Sequence, residues 1–134
     1  MSTLSLNEAR SIIAAAEKRA DEIGQPMNIA VVDAGGNLIA HARQDGAWIG
    51  SVDISINKAW TSRAFNIQTK DLADNAQPGQ QFHGIDATNG GRVVIFAGGI
   101  PLTKNGEVVG GLGVSGGSGD QDQHVAEAGL TVLA

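Results

Sequence analysis

The sequence predicts an α+β fold, an antiparallel sheet flanked by helices in a three-layer α/β/α arrangement. Three observations predict it. Two turns, Gly35-Gly36-Asn37 and Asn105-Gly106, each lie between apolar runs and so mark β-hairpins. Helical periodicity recurs near the start, in the middle and at the end of the chain. No regular strand–helix–strand alternation, the signature of a parallel sheet, separates these segments.

Ser5 to Ile23 reads as a helix. Ser5 and Glu8 form a capping box, and Ala9, Ile12, Ile13, Ala16, Ala20 and Ile23 make one apolar face. Gly24 suits the C-terminal cap, and Pro26 prevents continuation. Met27 to Asp33 and Leu38 to Arg43 read as the two strands of the first hairpin. Ile49 to Phe65 reads as a helix with Ile49, Val52, Ile56, Ala59, Trp60 and Arg63 on its packed stripe. Thr69 to Ala76 is a short helix with Thr69 as its cap. Gln77 to Gly91 has no periodic signal, and unpatterned stretches of this length in small domains are usually functional or mobile. Arg92 to Ala97 reads as a buried strand. Ile100 to Thr103 and Val108 to Ser115 complete a meander around the Asn105-Gly106 turn, and Asp120 to Leu133 closes the chain as a helix.

At 134 residues the chain fits one domain spanning 1–134, large enough to bury a core without cross-links. The chain is 42% hydrophobic, but only 4% is aromatic, so the core is built from Val, Ile, Leu and Ala. A net charge of −5 argues against nucleic acid and anionic membrane surfaces as partners. No cysteine is present, which excludes disulfides, thiolate catalysis and zinc–thiolate sites. No apolar run approaches the roughly 20 residues of a membrane helix. The N-terminal residues lack the pattern of a signal peptide, so the expected compartment is the cytoplasm.

Several segments taken together carry a family likeness. They are Ala30-Val-Val-Asp-Ala-Gly-Gly-Asn37, Asn57-Lys-Ala59 with Thr61, Pro78-Gly79, Phe96-Ala-Gly-Gly-Ile-Pro101, and Val109-Gly-Gly-Leu-Gly-Val-Ser-Gly-Gly117 followed by Asp120-Gln-Asp122. In order and spacing the chain resembles the GlcG/HbpS family, which includes the C-terminal domain of PduO-type proteins. The resemblance runs from the first helix to the last. It implies a profilin-like (GlcG-like) fold with a five-stranded antiparallel sheet, and homo-oligomers that are often octamers. It also implies haem as a cofactor in some members, a link to iron and redox sensing in secreted ones, and diol or glycolate pathways for others. HbpS-like members carry two acidic residues three apart on the second helix as an iron motif. The matching positions here are Asp53 and Ile56, so that metal site is not carried over.

Candidate residues follow from both sources. His83, in the unpatterned loop beside Phe82, is the candidate axial ligand for haem, its plain alternative being a surface histidine. Gly98, Gly99 and Pro101 form a bend, and Ser115, Gly116 and Gly117 lead into a helix N-terminus; both segments leave backbone open to a ligand. These residues, the loop and the helix bearing Lys58 are expected to share one pocket. Lys58 is the candidate catalytic amine, provided it is desolvated; otherwise it is an ordinary solvated lysine. His41 reads as an outward-facing strand residue. Asp120 and His124, one turn apart, form a candidate pair, with Asp122 pointing elsewhere. Asp33 either caps its turn or meets a cation.

Three functions remain open at this level. The first is a small oligomeric protein that binds haem or a metabolite. The second is a cofactor-free enzyme on a small carbonyl or hydroxy-acid compound. The third is an accessory or assembly protein of a metabolic operon.

Overall fold

The computed structural model describes residues 3–133. Helix α1 (Leu6–Ile23) begins with the Ser5–Glu8 capping box and ends at Gly24, whose φ of 70° is left-handed. Strands β1 (Asn28–Asp33) and β2 (Leu38–Arg43) form the first hairpin, followed by α2 (Gly50–Phe65) and α3 (Thr69–Ala76). Strands β3 (Gly99–Lys104) and β4 (Glu107–Ser115) form the second hairpin, and α4 (Gly119–Leu130) follows. At that hairpin Asn105 and Gly106 both have positive φ, as a type I′ turn requires.

The sheet is antiparallel with order β2-β1-β4-β3. Strands β1 and β4 lie at its centre, Asn28 opposite Ser115 and Val32 opposite Gly111. One face supplies Ile29, Val31, Ile100, Leu112 and Val114 to the main core, closed by Ile12 and Ala16 of α1 and Val125 of α4. The other face presents Ala30 and Val32 to Ala59 of α2. The expected α+β class and the helix-flanked antiparallel sheet are therefore present. No described helix is long and apolar enough to cross a membrane.

Four strands are described, not five. Arg92 to Ala97 is not a strand, and Phe96 is 60% exposed. Side chains of α2 hold this segment instead: the Val94 amide donates to Thr61 Oγ1 at 3.1 Å, and the Arg92 guanidinium lies 4.2 Å from the centre of the Trp60 ring. The amide that would have joined a ladder has a side-chain acceptor.

The packed face of α2 also differs from the expected stripe. Its buried residues are Ser51, Ser55, Lys58, Ala59, Thr61 and Ser62, whereas Ile49 is 79% exposed. The facing strand explains the change. A Cβ at Gly113 would collide with the Ser55 carbonyl, and one at Gly111 with the Ala59 carbonyl. The helix therefore sits almost backbone to backbone on β4, which only small side chains permit.

Two caps differ as well. Thr69 is the first residue of α3 rather than its cap, and its Oγ1 accepts the Gly99 amide at 2.8 Å. Helix α4 starts earlier than expected, with a second capping box between Ser118 and Gln121, and a 3-10 turn replaces its end at Thr131–Leu133.

Candidate functional site

The glycine contact between α2 and β4 sets the position of Lys58. Its side chain is 1% exposed and reaches the end of β4, where Nζ donates to the Val114 carbonyl at 2.8 Å and to Asp122 Oδ2 at 2.9 Å. Gly98, at φ 118°, makes the space: a Cβ there would lie 3.1 Å from Nζ and 2.5 Å from the Val114 carbonyl oxygen. Asp122 is buried too, and its Oδ1 accepts the Gly117 amide at 2.9 Å. Burial pushes the Lys58 ammonium towards losing its proton, and the Asp122 charge opposes this. Burial likewise raises the Asp122 carboxyl, opposed by Lys58 and by the amides of Gly117 and Gly116. The pair is held together while its surroundings favour the neutral form of each partner.

A cleft of about 330 Å³ opens over this pair. Trp48, Ile54, Phe96 and Ala97 give it apolar walls, while Ser51, Lys58, Ser115, Gly117, Gly119 and Asp122 complete the lining. A larger concavity of about 470 Å³ lies between α1 and the segment after β2, among Glu17, Asp21, Gln44 and Asp45. It contains no buried charged pair, so the chemistry is concentrated in the smaller cleft.

The residues expected in one pocket divide into three groups. Lys58, Ser115 and Gly117 meet at the cleft. Gly98, Gly99 and Gly116 adjoin it in the chain or in space, and Pro101 lies in the sheet. The Gly98 amide is taken by Gln123 Oε1 at 3.1 Å, the Gly99 amide by Thr69, the Gly116 carbonyl by Gln25 Nε2 at 3.0 Å, and Pro101 pairs with Gly111 in the sheet. Phe82 and His83 stand apart from both groups. They are exposed on a segment of turns whose amides bond locally, Phe82 to the Asn75 carbonyl and His83 to the Gln80 carbonyl. Neither lines the cleft.

Other candidates take plainer positions. Asp33 Oδ1 accepts the amides of Gly35 and Asn37, both at 2.9 Å, and so serves its turn. His124 Nε2 meets Arg19 Nη1 at 3.0 Å rather than Asp120. His41 is half-buried instead of outward-facing; its Nε2 is shielded from water and has no hydrogen-bond partner among the described residues. Asp53 Oδ2 accepts from Asn57 Nδ2 at 3.0 Å.

Asp122 is the site residue that sequence reasoning passed over. A signal for it was present. Asp122, Val125, Ala126 and Gly129 share one helical face, and that face is buried. A carboxylate in phase with an apolar stripe needs a partner in the interior.

This architecture has known counterparts. The chain is 42% identical over 130 residues to an uncharacterised 15.0 kDa protein of the dhaT-dhaS intergenic region of Citrobacter freundii, covering 97% of this chain and 92% of that one. The crystal structure of Klebsiella pneumoniae protein ORFY matches with a TM-score of 0.96 at 41% identity, over 99% of this chain and 92% of the other. PduOC, solved as a complex with heme, matches with a TM-score of 0.95 at 34% identity, over 98% and 96% of the two chains. The family model described as haem degrading protein HbpS-like matches residues 4–131, and the chain belongs to that HbpS-like family.

Proposed function

We propose that this protein binds haem as a homo-oligomer, with His83 as the axial ligand and Phe82 against the macrocycle. The observation that carries the reading is an exposed imidazole next in sequence to an exposed phenyl ring, on a segment of turns that is not part of the sheet. Haem iron takes a histidine nitrogen, and the porphyrin plane takes an apolar face. The Lys58 cleft fits the iron poorly, since its lining has no His or Met. The solved heme complex of a family relative, PduOC, supports haem as the molecule bound. Bound haem would supply an iron centre for redox chemistry or for holding a diatomic ligand; His83 would hold it through an imidazole nitrogen. Leu38 and Ile49 remain exposed, and such apolar side chains support self-association, with an octamer as the assembly implied by the family likeness.

The test is haem titration of the purified protein, followed by its Soret band, with light scattering on the same sample. A saturable Soret shift that is lost in His83→Ala, on a particle larger than one chain, is the expected result. An unchanged shift in His83→Ala would remove the axial role. With no haem binding by the parent protein, the accessory or assembly reading would take its place.

A further inference from the structure

The cleft above Lys58 has features that haem ligation leaves unused. Ser51 and Ser115 both line it, are 3% and 4% exposed, and have side-chain hydroxyls with no hydrogen bond among the described residues. Neither hydroxyl is among the buried polar atoms left without a partner, so both open onto the cleft, where they can donate to a polar group that enters it. Lys58 adds a third donor. Its ammonium carries three N–H groups, and the Val114 carbonyl and Asp122 take two of them.

Charge narrows the ligand class. Lys58 and Asp122 cancel, and no other ionisable side chain lines the cleft. A carboxylate or phosphate would meet the Asp122 charge with no spare cation to balance it, at a separation where the interaction is strong in a shielded site. The walls, Trp48, Ile54 and Phe96, are apolar. The volume, about 330 Å³, is at the small end of the usual range for ligand pockets. We infer that this cleft binds a small uncharged compound with an apolar body and a carbonyl oxygen, an aldehyde, ketone or amide, which accepts from Ser51, Ser115 and Lys58. The assignment does not involve His83 and stands apart from haem binding.

Cyclohexanone and cyclohexanecarboxylate, which share a ring and differ in charge, are suitable probes. Binding is read from the indole N–H signal of Trp48, identified with Trp60→Phe. Cyclohexanone is expected to shift that signal saturably, and cyclohexanecarboxylate to bind at least tenfold more weakly or not at all. The Ser51→Ala, Ser115→Ala double variant should weaken cyclohexanone binding by about tenfold, as the loss of two hydrogen bonds implies. His83→Ala should leave it unchanged, whatever happens to the Soret band. The inference is overturned by the absence of a saturable shift, by equal or tighter binding of the carboxylate, or by a double variant that binds as the parent does.

Discussion

Lys58 and Asp122, 64 positions apart in the chain, meet at 2.9 Å with both side chains almost wholly withdrawn from water. Neither has an equivalent substitute for the other. Without Asp122, the ammonium would keep only the Val114 carbonyl. Without Lys58, the carboxylate would keep the Gly117 amide.

Asp122→Leu is therefore expected to lower stability by about 3–5 kcal/mol, the usual cost of stranding one member of a buried pair. The double variant Lys58→Met, Asp122→Leu should lose clearly less than the sum of the two single changes. Urea unfolding of all four proteins gives the coupling directly. Additive losses would show that the two side chains stabilise the fold independently.

His41 makes stability depend on pH. Burial lowers its pKa below the ordinary histidine value of 6.5, and its Nε2 has no hydrogen-bond partner among the described residues. The folded state thus binds its proton less readily than the unfolded chain. The stability His41 contributes is fully present above about pH 6.5 and is lost as pH falls through the lower folded value. Melting temperatures measured from pH 7.5 down to pH 5 should fall, and His41→Leu should flatten that slope. An equal slope in the variant would assign the acid sensitivity to other groups.

The glycines of β4 and α2 should respond in opposite directions. Gly113→Ala forces a methyl group into the Ser55 carbonyl and is expected to cost about 3 kcal/mol or more. Gly50, in the first turn of α2, has open space around its missing Cβ. Gly50→Ala should stabilise by about 0.5–1 kcal/mol through the entropy of the unfolded chain. Chemical denaturation distinguishes the two, and a tolerated Gly113→Ala would mean that α2 can lift off the sheet.

Both hairpins and the first helix were legible because their signals are local. Asn105-Gly106 admits the turn it makes, and Ser5 with Glu8 caps the helix it begins. The packed face of α2 was not legible from hydrophobic periodicity, because its buried side chains are mostly Ser and Thr with one Lys. Those residues become intelligible only beside Gly111 and Gly113, about 50 positions away. The Arg92–Ala97 run failed for a similar reason. Its apolar residues suit a strand, but Thr61 on another element claims its amide. Within the candidate site, Lys58 could be singled out but its partner could not, since the pairing depends on the docking of α4 against the end of β4.

The strand order has a consequence for how the molecule comes into being. The two central strands, β1 and β4, are separated by more than half the chain, and every other layer leans on their pairing. During synthesis the apolar β1 leaves the ribosome long before its inner neighbour exists, with only the β2 hairpin to shield one edge. Closure must wait for Glu107–Ser115, whose glycines then admit α2 on one side while its Leu and Val residues seal the other. Such a long-range first commitment makes for slow folding and a prolonged period of vulnerability to aggregation. A lesion in β4 should thus reduce the yield of native protein at birth even where the finished molecule would tolerate it.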